Sequence, residues 1–222
     1  MNERLFEDIY NISKLQEAFA KVDTSWIEEY VWALHASESG KNSRKRKRLE
    51  KEHGVLSLRI DDTHTPYLQG ASYGKDGIIT FYFSETAVDY IIRGTDYVIE
   101  EIIEQMKVSF VHESTHKHQH SKNDKIYDKY FTMPDDSDYE DKERYITQYQ
   151  ELPAMARAFG AELERVWEDP KIPFIAIFKE NNYDPFLHIR DKYVRMFEVI
   201  RDSNERTWKK FVKYLYDYLY GK

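Results

Sequence analysis

Residues 96–120, which read DYVIEEIIEQMKVSFVHESTHKHQH, predict an amphipathic helix that runs into a cluster of histidines. Thr95 or Asp96 is expected to start the helix, because a side-chain oxygen there can accept a hydrogen bond from the first turn. The apolar residues recur at a spacing that forms one stripe of a helix: Ile99, Ile103, Met106 and Phe110. Four histidines then fall within nine residues: His112, His116, His118 and His120.

His112, Glu113 and His116 form the pattern His-Glu-x-x-His at the end of this predicted helix. Residues four apart project from the same helix face, so both imidazoles can reach one metal ion while Glu113 points to the side. Two neutral histidines of this kind bind Zn²⁺, which lowers the pKa of a bound water to about 7. The glutamate takes the proton of that water, and the resulting hydroxide attacks a polarised carbonyl. The pattern therefore predicts zinc-dependent hydrolysis.

Two other interpretations of the histidines stay open. The first is a solvated, histidine-rich helix end that holds no metal ion. The second is adventitious metal binding by His112, His116 and His120, which are spaced at i, i+4 and i+8.

The chain of 222 residues contains no cysteine, which excludes disulfide frameworks, thiolate zinc fingers, iron–sulfur clusters and cysteine nucleophiles. Any metal site must therefore use His, Asp and Glu side chains. The net charge of −7, from 33 basic and 40 acidic residues, argues against nucleic-acid binding over the whole surface.

A catalytic zinc site also needs a third protein ligand. One solution is a histidine six residues after His116, together with a glycine three residues after His116. Lys122 and Gln119 occupy those two positions, so this version of the site is excluded.

The other solution is a glutamate on a second helix, and Glu151 fits that role. Ala154 and Ala158 lie on the same predicted face, and their small side chains would let two helices approach closely. Pro153 is tolerated in the first turn of a helix, so the helix either starts near Glu151 or kinks there. The alternative is that Glu151 is an ordinary surface carboxylate.

The rest of the chain predicts an α+β fold that is mostly helical, with a small β-sheet packed on the histidine helix. The predicted strands are residues 55–60 and 78–83, which are rich in β-branched and aromatic side chains. Ser84 is expected to cap a short helix that ends near Gly94. Strand 78–83 is expected to form the sheet edge along which a peptide extends.

The His-Glu-x-x-His pattern and the later Glu-x-x-Ala resemble the gluzincin arrangement of zinc metallopeptidases. The resemblance implies a zincin-like fold and a Zn²⁺ ion bound by His112, His116 and Glu151. It also implies that Glu113 is the general base and that the substrate is a peptide or protein. A group that stabilises the oxyanion is needed as well. The sequence offers several candidates without choosing among them: Tyr145, Tyr149, His188 and Arg190.

Residues 106–158 further resemble small HExxH proteins encoded by tailed phages, through Gln119, Tyr145, Ala154 and Ala156. This resemblance implies a location in the cytoplasm of the host cell or on the virion. It leaves open a non-catalytic alternative, a zincin-like phage structural or host-interaction protein with a structural or vestigial metal site.

The chain is predicted to divide into a helical segment (1–36), a basic loop or linker (37–54) and a zincin-like metallopeptidase domain (55–222), which together form one compact unit. The basic segment contains five consecutive positive residues: Arg44, Lys45, Arg46, Lys47 and Arg48. They are interpreted as a solvated, mobile loop or helix end, with contact to nucleic acid or another anionic surface as the alternative.

No stretch is apolar over the roughly 20 residues that a membrane-spanning helix needs. Residues 1–10 carry acidic side chains where a signal peptide would carry basic ones. The chain is therefore expected neither to enter a membrane nor to be secreted by a signal peptide.

Overall fold

The computed structural model describes residues 22–38, 43–60, 68–74, 76–122 and 151–220. These residues fall into two compact units, Asp23–Lys117 and a second unit that includes the described residues from His118 onward. The helix predicted before residue 22 and the acidic segment 135–143 lie outside the described residues. The division predicted from sequence, into 1–36, 37–54 and 55–222, stays a prediction.

The unit Asp23–Lys117 combines helices with a three-stranded sheet, which confirms the predicted α+β class. Its elements are α1 (Trp26–Glu38), α2 (Ser43–His53), β1 (Val55–Ile60), β2 (Leu68–Tyr73), β3 (Ile79–Ser84), α3 (Glu85–Arg93) and α4 (Asp96–Lys122), the last of which continues past the unit. Within the described ranges, no helix is both long and apolar enough to cross a membrane.

The sheet is mixed and has the order β1-β3-β2. Strand β3 pairs in parallel with β1 and in antiparallel with β2, and it buries Ile79, Phe81 and Phe83 on one face. The prediction that residues 78–83 form a sheet edge is therefore wrong, because the strand there is central. Strand β2 was not predicted, since its sequence LQGASY lacks the apolar alternation that marks a strand.

Helix α3 begins and ends as the sequence predicted. The hydroxyl oxygen of Ser84 accepts a hydrogen bond of 2.9 Å from the backbone N–H of Ala87. At the other end Gly94 adopts a left-handed conformation with φ +69°, and its N–H donates to the carbonyls of Tyr90 and Ile91.

Residues 43–53 of the basic segment form a helix, so the interpretation of this part as a loop is wrong, and the helical alternative describes it better. Leu49 is buried, and Arg46 donates to the carboxylate of Glu50 one turn later at 2.8 Å. Lys45 also forms an ion pair of 3.0 Å with Glu29 of α1. The sequence obscured this helix because one apolar anchor gives too weak a period to recognise.

The second unit is helical in its described part. Its elements are α5 (Glu151–Val166), α6 (Lys171–Lys179), a 3₁₀ helix (Asp184–His188), α7 (Asp191–Asp202) and α8 (Glu205–Tyr220). Its core is aromatic, because the buried rings of Phe159, Phe197 and Phe211 lie within 6.5 Å of one another. The buried residues of α7 recur at helical spacing: Tyr193, Met196, Phe197 and Ile200.

Gly160 sets how closely α5 packs against α8. A Cβ atom added at Gly160 would lie 2.2 Å from Cδ1 of Tyr218 and 3.3 Å from Cδ1 of Leu215. The Tyr218 ring has little freedom to move, because its hydroxyl donates to the carboxylate of Glu164 at 2.8 Å.

We expect Gly160→Ala to lower the free energy of unfolding by about 1–2 kcal/mol. Overpacking costs about 1–3 kcal/mol, and a Cβ only 2.2 Å from Cδ1 of Tyr218 belongs at the upper end of that range, so the cost exceeds the gain of about 1 kcal/mol in helix propensity. Urea unfolding measures the change. As a control, Gly160→Ala in a Tyr218→Ala background should be neutral or stabilising, and a more stable single variant would contradict the close contact.

Candidate metal centre

Helix α4 holds its histidines on a rigid, well-buried element. The predicted apolar stripe is buried along its whole length: Ile99, Ile103, Met106 and Phe110. Phe110 packs edge-to-face on Trp26 of α1, with ring centroids 5.1 Å apart. The helix continues to Lys122, so the His-Glu-x-x-His pattern lies within regular helix and not at its last residue.

The structure brings His112 and His116 together. Their Nε2 atoms lie 3.1 Å apart, and their ring centroids lie 4.8 Å apart. Two nitrogens bound to one zinc ion at 2.0–2.1 Å in tetrahedral geometry are separated by roughly 3.3 Å. His116 is buried and His112 is half-buried. The pair therefore has the spacing and the partial shielding from solvent that a metal site needs.

Glu113 lies beside this pair. Its Oε1 atom is 3.9 Å from Nε2 of His112, and the residue is only 8% exposed. That distance is too long for a direct hydrogen bond and leaves the carboxylate next to the ligand nitrogen. Glu113 is thus placed where it could accept a proton from a water molecule near His112.

Glu151 is the first residue of α5, and it is completely buried. The alternative that it is a surface carboxylate is therefore wrong. Ala154 and Ala158 are buried as well, and Pro153 lies in the first described turn of the helix.

Arg157 is a buried residue of α5 that the sequence did not single out. Burial lowers the pKa of its guanidinium to about 10, and Tyr218 raises that pKa by a smaller amount. The ring centroid of Tyr218 lies 5.8 Å from Cζ of Arg157. Its position between Ala156 and Ala158, in the small-residue part of the helix, is the sequence signal that could have marked it.

The candidates for oxyanion stabilisation do not resolve to one residue. The Arg190 side chain donates a hydrogen bond of 3.0 Å to the buried carboxylate of Glu162. The ring of His188 packs edge-to-face against Trp167, with ring centroids 6.0 Å apart. Tyr145 and Tyr149 lie outside the described residues.

The basic residues of α2 are partly neutralised within their own unit. Lys45 and Arg48 both form ion pairs with Glu29, and Arg46 pairs with Glu50. The nucleic-acid contact suggested for this segment stays a prediction.

Comparisons with known proteins identify no relative. A comparison with protein-family models finds no match for this chain, and comparisons with curated proteins and with solved structures find none either.

Proposed function

We propose that this protein is a zinc-dependent metallopeptidase in which His112, His116 and Glu151 bind the metal ion and Glu113 is the general base. The observation that carries the proposal is the convergence of two imidazole nitrogens to 3.1 Å on a helix that also places a buried carboxylate beside them. The residues meet the ligand requirements of zinc, since two neutral imidazoles and one carboxylate leave a coordination position open.

The choice of Glu151 as third ligand is supported by its chemistry. These three residues are the group in the described part of the chain that could hold a metal ion, with one ligand atom from each. A fully buried carboxylate costs several kcal/mol unless its charge is compensated or it takes a proton. A divalent cation would supply that compensation. His120 does not belong to this group, which disfavours adventitious binding of a metal ion by His112, His116 and His120.

Glu113 supplies the acid–base step in the proposed reaction. When bound, zinc would activate a water molecule and polarise the peptide carbonyl. The Glu113 carboxylate would accept the proton of that water and pass it to the amine that leaves when the peptide bond breaks. Its 8% exposure favours this role, because the carboxylate is largely shielded from bulk water and lies beside the proposed ligand His112.

The proposed substrate is an extended peptide or protein. The non-catalytic alternative, in which the same residues hold a structural or vestigial metal, would bind zinc equally and hydrolyse nothing. A location in the host cytoplasm or on the virion stays a prediction of the phage resemblance.

Metal analysis tests the ligand set directly. We expect wild-type protein purified without chelators to contain about one zinc ion per chain. His116→Ala and Glu151→Gln should each weaken zinc binding by at least about 100-fold. Mutation of a residue that only hydrogen-bonds to a metal ligand typically lowers metal affinity by about 10–100-fold, and loss of the ligand itself should cost more. Competition with a chromophoric chelator measures the affinity.

His120→Ala is the matched control, because this half-buried histidine lies one turn beyond His116 on the same helix. It should bind zinc as the wild type does. An equal loss of zinc affinity in His120→Ala would indicate adventitious binding by His112, His116 and His120. Unchanged zinc affinity in Glu151→Gln would remove Glu151 from the ligand set.

A further inference from the structure

A cavity of about 240 Å³ lies within the unit Asp23–Lys117, and none of the proposed metal ligands lines it. Helices α1, α2 and α3 and strands β1 and β3 all contribute to its wall. The cavity is therefore a feature separate from the candidate metal centre, and the proposed peptidase activity does not account for it.

One side of the cavity is apolar. Leu34 of α1, Phe83 of β3 and Val88 and Ile91 of α3 line it, and all four side chains belong to the buried core. A ligand that entered would remove apolar surface from water at this wall. This side is suited to a hydrocarbon chain or ring.

The other side carries the positive charge of the lining. Its residues are Arg46, Ser57, Leu58 and Arg59, and both charged residues of the lining are arginines. Ser57 and Arg59 lie two residues apart on β1, so their side chains leave the same face of the strand. Arg59 is exposed and lies opposite Phe83 in the parallel pairing of β1 with β3.

A network of hydrogen bonds fixes the Arg46 guanidinium at this end. Its Nε donates to Oε1 of Glu50 at 2.8 Å, and its Nη2 donates to the hydroxyl of Ser57 at 2.9 Å. The hydroxyl of Tyr30, a fully buried residue, donates to the same oxygen of Glu50 at 3.1 Å. An arginine held in this way loses little conformational entropy when it binds an anion, although its charge is already paired with that of Glu50.

We infer that this cavity binds a small monocarboxylate with an apolar tail. The arginine side would take the carboxylate, since charge-assisted hydrogen bonds to guanidinium groups are strong and directional. The apolar side would take the tail. The proposed tail is short, because a volume of about 240 Å³ lies below the roughly 300–1,000 Å³ typical of sites for drug-sized ligands.

The test uses hexanoate as the anionic probe and hexanamide as its neutral counterpart of the same shape. We expect hexanoate to bind the full-length protein with a Kd on the order of 0.1–1 mM, as ligand efficiency suggests for so few atoms. Two-dimensional NMR should show shifts confined to amides near Arg59, Val88 and Ile91. Hexanamide should bind about tenfold or more weakly.

Arg59→Gln should weaken hexanoate binding about tenfold and leave hexanamide binding unchanged. Arg93→Gln is the matched control, because Arg93 is exposed at the end of α3 and does not line the cavity. Val88→Phe should fill the cavity and abolish binding of both probes. If that variant fails to fold, Arg59→Gln still decides.

Three results would overturn the inference. The first is the absence of any shift at hexanoate concentrations well above the expected Kd. The second is equal affinity for hexanoate and hexanamide, and the third is an equal loss of hexanoate binding in Arg59→Gln and Arg93→Gln. Zinc content and peptide hydrolysis do not enter the measurement, so it stands independently of the proposed function.

Discussion

Glu113→Gln is expected to lower kcat for peptide hydrolysis by about 10²–10⁴-fold while the zinc content stays at the wild-type level. The change keeps the shape of the side chain but replaces the basic carboxylate with a neutral amide that does not accept a proton at neutral pH, and general acid–base catalysis contributes a factor of that size. Because Glu113 lies beside His112 and is not a proposed ligand, metal binding should not change. Hydrolysis of casein and of a mixture of fluorogenic peptides, with metal content measured on the same samples, reports both quantities.

Glu100→Gln is the matched control, since it removes an exposed carboxylate from the same helix. It should leave the rate unchanged. Equal activity of the wild type and Glu113→Gln would show that the hydrolysis has another origin. A wild-type protein that binds zinc and cleaves no peptide would favour the non-catalytic alternative.

Glu162→Gln is expected to lower the free energy of unfolding by about 3 kcal/mol at neutral pH, because loss of one partner from a buried ion pair costs about 3–5 kcal/mol. Glu162 is fully buried on α5. It accepts hydrogen bonds from Arg165 at 2.8 Å and from the Arg190 side chain at 3.0 Å. The backbone N–H of Arg190 donates to it as well.

The same carboxylate makes the stability depend on pH. Burial by itself raises the pKa of Glu162, but the hydrogen bonds from Arg165 and Arg190 outweigh burial and hold the pKa below its ordinary value. A lowered pKa stabilises the folded state above the ordinary glutamate pKa of about 4.3, and this contribution disappears as the pH falls through the folded-state value.

Urea unfolding of the wild type and of Glu162→Gln over a range of acidic pH measures this contribution. The difference between the two proteins should be largest at neutral pH and should shrink as the pH falls. Glu168→Gln, which removes an exposed carboxylate just beyond α5, should show no such difference. A difference that is constant with pH would mean that the charge of Glu162 does not contribute.

The sequence predicted the elements whose signals are local. Ser84 and Gly94 mark the two ends of α3 through side-chain and left-handed caps, and both ends were predicted correctly. The stripe of α4 was also predictable, because an amphipathic helix repeats its apolar residues over several turns. The spacing of His112 and His116 follows from that helix without any tertiary information.

Features that depend on pairing between distant segments were not predictable. β2 exists because β3 offers it hydrogen bonds, and nothing in LQGASY requires a strand. The central place of β3 likewise follows from the strand order, which local patterns do not encode. Burial of Glu151 and Arg157 is a further case, since charged side chains rarely lie in the interior and no local pattern distinguishes the exceptions.

The position of β1 bears on how copies of this protein avoid aggregation. In the part of the chain that the structure describes, β1 pairs only with β3, and Leu56 and Leu58 are 39% and 50% exposed. A strand of another copy can form backbone hydrogen bonds with an edge of this kind. The exposed Arg59 places a positive charge on this edge strand, so two such edges would repel each other. Their repulsion is screened beyond about 10 Å at 0.1 M salt, so this protection is strongest at low ionic strength.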